Sequence, residues 1–380
     1  MRVLILGCGN IGFVAAEDIA KSMSNIDLVL ADKSEGRAKG AAERIGGNVS
    51  WIRLDATNIG QLVEALRNVD LAMGFLPGKL GYNLMKICIA EGANLVDVSY
   101  APENPLTLNE EAAKASVIIV PDCGFAPGIS NMLVGHAVTK LNRVQSIHIM
   151  AGGLPERPIP PLGYVITWSP ENLIDLYMRK ARIVKEGKIV EVDALSGLEE
   201  VEFPVLGKLE AFYTDGLRNL PQTIYGVSEM WEKTLRYPGH AEKIRLLKSL
   251  GFFEETPLNI DEAKVSPLKL TIKLFEQKLW KPEIKDVAVL RVEVSGVENG
   301  RQITYIYHLL DRYDEKSGIT AMGRTTAYPA SIIAQLILKK VIKEKGVIPP
   351  ERIGMNNELF LLVLKELEKR KIKITEERIA

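Results

Sequence analysis

The chain opens on a strand, a glycine loop and a helix in direct succession, and no other feature restricts its fold as much. Residues 2–6, RVLIL, are an uninterrupted apolar run, the pattern of a parallel strand buried on both faces. Gly7-Cys8-Gly9-Asn10-Ile11-Gly12 follows at once, and FVAAEDIAKSM then carries apolar residues at helical spacing. A GxGxxG at a strand–helix junction is what a dinucleotide requires. Gly7 permits the tight turn, Gly9 lets the backbone approach a pyrophosphate, and Gly12 lets helix and strand pack closely. The N–H groups of the helix start, around Asn10 and Ile11, face the anion with a partial positive charge. Glycine-rich turns occur at many such junctions, so the second strand decides. Asp27–Asp32 ends in a carboxylate twenty residues after Gly12, the spacing for contact with ribose hydroxyls. The alternative is that Asp32 only caps the helix starting near Ser34. Asp32 would repel a 2′-phosphate, so NAD is expected over NADP, with Lys33 and Arg37 close enough to weaken that preference.

Strands and helices continue to alternate. Strand runs at Val49–Leu54, Leu71–Phe75, Asn94–Asp97 and Val117–Val120 bring the set to six. Helices are expected around Tyr82–Glu91 and Leu108–Ala115. Six strands with short crossovers predict an α/β fold, a doubly wound parallel sheet of Rossmann type. Ligands of such sheets lie beyond the carboxyl ends of the strands. That singles out Asp55, Phe75–Gly78 with Leu76 and Pro77, Asp97–Tyr100 with Ser99, and Asp122–Gly124. Cys8 reads as a small turn residue rather than a nucleophile.

A length of 380 residues exceeds one ordinary core and predicts at least two domains. Lys plus Arg and Asp plus Glu are both 48, so no basic surplus points to nucleic acid. Cys8, Cys88 and Cys123 have no CxxC spacing, which argues against a disulfide framework or a zinc site and for a reducing compartment. No apolar run approaches the ~20 residues of a membrane span. These features predict a cytoplasmic protein with a small-molecule ligand, no nucleic acid, no membrane and no metal.

After Val120 the texture changes. Pro121–Ser130 is rich in proline and glycine and reads as a hinge. Ile147–Met150 reads as a strand, Gly152–Pro161 as loop, and Pro170–Tyr177 as the start of a helix, with Arg179 and Arg182 just after it. Patterned runs follow at Lys269–Phe275, Asp286–Ser295 and Arg301–Leu310, the last two joined by Glu298-Asn299-Gly300, a hairpin signal. The expectation is a second, α+β domain on an antiparallel sheet, spanning 122–322 after a dinucleotide domain at 1–121. Tyr328–Lys343 predicts a long amphipathic helix, and the tail 323–380 is expected to return as helices toward the first domain. Two segments look chemical: Thr214-Asp-Gly-Leu-Arg218 and Thr234-Leu-Arg-Tyr-Pro-Gly-His240. An arginine in a tight turn can hold a carboxylate by two parallel hydrogen bonds. The alternative is solvated surface arginines and a capping histidine.

Together, GCGNIG, Val96–Tyr100 (VDVSY), Pro121–Asn131 (PDCGFAPGISN), Ile166–Pro170 (ITWSP), DGLR and TLRYPGH resemble the saccharopine dehydrogenase family. Within it the chain is most similar to the L-lysine 6-dehydrogenases, over nearly its whole length. The resemblance implies NAD-dependent oxidative deamination at the lysine ε-carbon, giving 2-aminoadipate 6-semialdehyde, ammonia and NADH, with the aldehyde closing on its own α-amine. Hydride leaves the ε-carbon only when the ε-nitrogen carries a lone pair, so a base or a depressed amine pKa is needed. Asp122, Tyr100 and His240 are the catalytic candidates. Arg218 and Arg236, with Thr234, are the candidates for the substrate carboxylate. A homodimer or higher homo-oligomer is also expected.

Two rivals stand beside this reading. A saccharopine- or carboxynorspermidine-type dehydrogenase acts on a secondary amine, and its substrates would call for more arginines around one pocket. Family members of the saccharopine type tend to carry a basic residue where this chain has Glu171, which favours a substrate with a free cationic amine. A non-catalytic NAD-binding regulatory protein would keep the glycine loop and Asp32 but need no arginine–histidine set.

Overall fold

A computed structural model describes residues 1–281 and 284–380. The chain forms two compact units, Met1–Leu141 with Gly323–Ile374, and Asn142–Met322 with Thr375–Ala380.

The first unit alternates β1 (Arg2–Leu6), α1 (Asn10–Ser22), β2 (Asp27–Asp32), α2 (Glu35–Ile45), β3 (Val49–Arg53) and α3 (Ile59–Leu66). It continues with β4 (Leu71–Gly74), α4 (Gly78–Ala90), β5 (Asn94–Asp97), α5 (Asn109–Lys114), β6 (Ile118–Val120) and α6 (Ile129–Val138). The second unit holds β7 (Arg143–Pro155), α7 (Pro170–Met178), β8 (Ala181–Lys185), β9 (Lys188–Val192), β10 (Glu199–Phe203), β11 (Gly207–Tyr213) and α8 (Leu220–Thr223). Then come β12 (Glu229–Arg236), α9 (His240–Ser249), β13 (Leu258–Ile260), β14 (Ala263–Val265), α10 (Pro267–Lys278), β15 (Asp286–Glu298) and β16 (Arg301–Arg312). The chain ends with α11 (Ala321–Leu338), β17 (Gly346–Val347), α12 (Pro350–Met355), α13 (Asn357–Lys369) and β18 (Ile374–Ile379).

The first sheet is parallel throughout, in the order β17-β6-β5-β4-β1-β2-β3. The order reverses at β1, so the crevice beyond the carboxyl ends of β1 and β4 is the switch point where ligands of such sheets bind. Val3–Leu6 and Leu28–Ala31 are buried, as strands covered on both faces must be. A core of Leu, Val, Ile, Ala, Met and Cys side chains covers this sheet, each large one contributing about 1.5–3 kcal/mol relative to exposure. The α/β class and the doubly wound sheet are as the periodicity predicts, with β17 as an added seventh strand.

The second unit is built on a nine-stranded sheet with the path β10-β11-β12-β7-β15-β16-β18, β8 pairing with β12 and β9. The pairings of β10 with β11, β11 and β8 with β12, β8 with β9, and β15 with β7 and β16 are antiparallel, whereas β7 and β12 run parallel. Glu298 pairs with Arg301 across Asn299 (φ 50°) and Gly300 (φ 78°), the left-handed pair a two-residue turn requires.

Several expectations are refined or corrected. By its contacts the first compact unit reaches Leu141, past the expected boundary at 121, with α6 packed on α12 where both carry glycine. A Cβ on Gly135 would lie 2.0 Å from the Glu351 carbonyl oxygen, and one on Gly354 1.9 Å from that of Met132. Gly152 and Gly153, expected in a loop, continue β7. A Cβ there would meet Leu235 at 2.9 Å and the Met322 sulfur at 2.5 Å, so the strand passes only without side chains. Lys269–Phe275 is helical within α10, started by Pro267 and capped by Ser266. The long helix runs earlier than Tyr328–Lys343, over Ala321–Leu338. The tail is helical only to Lys369, and Ile374–Ile379 is a strand beside β16, which belongs with the second unit from Thr375.

Candidate active site

In the first unit the glycine loop is constrained at two points and open at one. Gly7 has φ 98°, and a Cβ on it would lie 2.5 Å from the Phe75 carbonyl oxygen. A Cβ on Gly12 would lie 1.9 Å from the Gly7 carbonyl oxygen. Around Gly9 nothing lies within 4 Å, and Gly9 caps α1 without a side-chain hydrogen bond. The start of α1, at Asn10 and Ile11, therefore keeps backbone room and no side-chain cap, which fits a pyrophosphate.

Asp32 closes this loop from β2. Its Oδ2 accepts the Cys8 N–H at 2.9 Å, and its Oδ1 accepts the Ser34 N–H at 2.8 Å and the Arg37 Nε–H at 3.3 Å. The carboxylate that sequence spacing assigned to the ribose thus also braces the loop. Burial, then the Asp32 charge, push the Cys8 thiol up to about 12, so it is no nucleophile at neutral pH. A cleft of about 750 Å³ is lined by Lys33, Arg53, Asp55, Thr57, Asn58 and Gln61. The Thr57 N–H and hydroxyl, both on Asp55 Oδ1, hold the Asp55 carboxyl below its ordinary value.

At the ends of β4, β5 and β6 the picture is denser. Leu76 and Pro77 lead into α4, with Pro77 as its N-cap residue. Ser99, expected to bind cofactor, is buried and donates its hydroxyl to Asp97 Oδ2 at 2.5 Å. Gly74 and Gly81 leave room for this buried pair, since Cβ atoms there would lie 2.2 Å from Asp97 Oδ1 and 1.8 Å from Ser99 Oγ. The Asp97 carbonyl accepts the Cys123 N–H at 2.9 Å, tying the end of β5 to the turn after β6. Tyr100 (φ 60°) and Asp122 (φ 51°), one just past each strand, are both left-handed and both buried. A non-glycine residue held there costs on the order of 1–3 kcal/mol, and such strain gathers at functional sites.

In the second unit β12 brings Glu232, Thr234 and Arg236 onto one face by period-two alternation. Arg236 is 3% exposed and sits 4.3 Å over the Tyr164 ring, with Nη1 donating to the Leu235 carbonyl at 2.8 Å. Thr234 Oγ1 is 2.7 Å from Thr214 Oγ1, which donates to Glu232 Oε2 at 2.5 Å. Burial pushes the Glu232 carboxyl up to about 8.

Arg218 (φ 56°) is 4% exposed, with Nη1 3.5 Å from Asp215 Oδ2. The same buried carboxylate receives the Arg182 guanidinium twice at 3.0 Å and has Arg179 Nη1 at 3.8 Å. Three guanidinium groups thus converge on Asp215, a cluster the linear pattern showed only as separate arginines. His240 opens α9, and both its ring nitrogens are engaged inside the unit, Nδ1 with the Leu162 carbonyl at 3.0 Å and Nε2 with the Tyr177 hydroxyl at 2.8 Å. Burial, and then the Arg236 charge, push its pKa down to about 3. That is a correction to its candidacy as a base: it is a neutral interior group. Glu171 is exposed in the first turn of α7, where an acidic residue suits the helix dipole, so its identity says little about substrate. Among the described residues no group of three or more His, Cys, Asp and Glu could hold a metal, and no helix is long and apolar enough to cross a membrane.

Sequence reasoning missed Glu232 and Tyr177. The alternation in EMWEKTLR could have placed Glu232 beside Thr234 and Arg236, whereas nothing local marks Tyr177.

Comparison with known proteins divides the chain near residue 121, inside the first compact unit. Residues 3–120 match the family described as saccharopine dehydrogenase NADP binding domain, and residues 124–372 match the saccharopine dehydrogenase C-terminal domain. The chain is 24% identical over 439 residues to a saccharopine dehydrogenase [NADP(+), L-glutamate-forming] of Schizosaccharomyces pombe, covering 96% of this chain and 97% of that one. It is 25% identical over 478 residues to an alpha-aminoadipic semialdehyde synthase of Arabidopsis thaliana, covering 98% of this chain but spanning only 44% of that protein. The fold is shared with apo saccharopine dehydrogenase (L-Glu forming) from Saccharomyces cerevisiae, at a TM-score of 0.79 and 21% identity with both chains covered in full. With both domain matches in place, and the second alone spanning more than half of its length, the chain belongs to the saccharopine dehydrogenase family.

Proposed function

We propose that the chain is an NAD-dependent dehydrogenase that oxidises the C–N bond at the ε-carbon of L-lysine. The products are ammonia and 2-aminoadipate 6-semialdehyde. The observation that carries an enzymatic reading on a carboxylate-bearing substrate is the convergence of Arg179, Arg182 and Arg218 on Asp215 in the second unit, while the choice of lysine rests on the resemblance of the motifs. Such a cluster suits a substrate carboxylate, and a purely regulatory nucleotide binder has no need of it.

The first unit's residues suit a dinucleotide: open space at Gly9, an uncapped α1 and the Asp32 carboxylate. NAD held there would supply the hydride acceptor. The amine must first give up a proton, and Asp122 and Tyr100 are the groups proposed to take or orient it. Loss of hydride from the ε-carbon leaves a substrate imine; water adds to it and ammonia departs. His240, locked in its neutral form, supports the fold around Arg236.

A second reading is a saccharopine-type dehydrogenase, in which the nitrogen carries a second carbon skeleton and leaves as an amino acid. Arg179 and Arg182 beside Arg218 favour it, since such a substrate brings more carboxylates, and relatives bear that name. NAD is preferred here for the Asp32 carboxylate, while Lys33, Arg37 and Arg53 and the relatives' NADP names support some use of NADP. Reduced-cofactor formation at alkaline pH, run in parallel with lysine, ornithine and saccharopine and with either dinucleotide, tests both choices. Activity with lysine and NAD supports the proposal; activity with saccharopine alone refutes it.

A further inference from the structure

Glu232 lies against the Thr214–Arg218 loop. A Cβ on Gly216 would lie 2.5 Å from the Glu232 carboxyl carbon, so loop and carboxyl touch. Thr214 donates to Glu232 Oε2 at 2.5 Å, and Thr234 reaches Thr214 at 2.7 Å, so the start of the loop is bound to two β12 side chains. Asp215 and Arg218, at the heart of the arginine cluster, sit in the residues this contact holds.

We infer that Glu232 is a positioning residue that sets the loop carrying Asp215 and Arg218, and through it the affinity for the substrate carboxylate. The inference rests on the proposed role of the arginine cluster. Glu232 is 4% exposed, and burial raises its carboxyl to about 8. It is therefore protonated at neutral pH and ionises in the alkaline range. The charged groups facing it are Asp215 from the loop and Arg236 further along β12, with Glu210 paired opposite Arg236 on β11. On the β7 side its register partner is the apolar Ile149. Ionised, Glu232 adds a negative charge beside Asp215, and that charge competes with a substrate carboxylate for the same guanidinium groups. Affinity should fall as pH rises through the Glu232 value.

The test is the KM for lysine between pH 7 and 9.5 in the wild type, Glu232→Gln and Arg218→Lys. Dividing the wild-type KM by that of Glu232→Gln at each pH cancels the titration of lysine itself. That ratio should rise roughly five-fold across the range, as one added charge near the site would give. Glu232→Gln keeps acceptors for Thr214 and Gly216, so its KM at pH 7 should match the wild type, with kcat and the KM for NAD unchanged. Glu232→Leu, which keeps neither, should raise the lysine KM at pH 7 at least ten-fold. A flat ratio overturns the inference, whether or not the leucine variant folds. If Arg218→Lys leaves the lysine KM unchanged, the arginine cluster is not the carboxylate site, and the broader reading fails instead.

Discussion

The Tyr177 hydroxyl donates to Nε2 of His240 across 2.8 Å, and this fixes the histidine's tautomer. Nδ1 lies 3.0 Å from the Leu162 carbonyl, which can only accept, so the ring proton resides on Nδ1 and Nε2 is the acceptor. A second proton on the ring would turn Tyr177 from donor to unwilling partner in a setting already made positive by Arg236. The unfolded chain's imidazole takes up a proton near its ordinary 6.5, while the folded one holds out to about 3. Between those values acid favours the unfolded chain, so this group removes about 1.4 kcal/mol of stability per pH unit as pH falls. Denaturant unfolding of wild type and His240→Gln at pH 6, 5 and 4 reads this directly. The wild type should lose stability relative to the variant at each step; parallel curves would mean that His240 protonates freely in the fold.

The glycine loop separates a folding role from a binding role. Gly12→Ala drives a methyl into the Gly7 carbonyl, at 1.9 Å, and should lower Tm by many degrees. Gly9→Ala meets nothing within 4 Å, and Gly9 has φ −71°, so Tm should stay within about a degree or two. Dinucleotide affinity should nevertheless fall at least ten-fold, because the methyl occupies the space of the pyrophosphate. Thermal melts with and without NAD decide the matter. A Gly9→Ala protein that binds NAD as well as the wild type would remove the pyrophosphate from this loop.

Much of the first unit was legible because its signals are local. The apolar runs, the glycines and Asp32 lie in consecutive segments, and strand period and turn chemistry point the same way. The second unit was read only coarsely. Gly152 and Gly153 look like a loop until Leu235 and Met322 are seen filling their side-chain space. Arg179 and Arg182 meet Arg218 at Asp215, more than thirty residues along the chain from both. The neutrality of His240 depends on Leu162 and Tyr177, neither of which is close to it in sequence. Long-range pairing of this kind leaves no periodic trace.

Asp18 on α1 is held by Arg370, with Oδ1 to Nε at 2.8 Å and Oδ2 to Nη2 at 2.9 Å, and by the Ser331 hydroxyl at 2.6 Å. Both members of the ion pair are mostly buried. Asp18→Ala leaves the Arg370 guanidinium with Glu366 Oε2, at 2.8 Å, still in place, and should cost about 2 kcal/mol, less than a fully unpaired buried charge would. Urea unfolding measures this, and a loss below about 1 kcal/mol would show that the pair behaves like an exposed one.

Asp32→Ala should weaken NAD by roughly 10- to 150-fold in kcat/KM, the range for a charge-assisted hydrogen bond, while NADP is little affected. Releasing Arg37 from the carboxylate adds to the shift toward NADP. Steady-state kinetics with each dinucleotide provide the check. Equal losses with both cofactors would assign Asp32 to bracing Cys8 and Ser34 alone.

The most direct test is the identity of the nitrogen that leaves. Purified protein with L-lysine and NAD should release one ammonia for each NADH formed, with a semialdehyde that cyclises, and no second amino acid. If lysine yields neither NADH nor ammonia while saccharopine yields reduced cofactor and glutamate in equal amounts, oxidation of a primary amine is contradicted and the arginine cluster serves a larger, secondary-amine substrate.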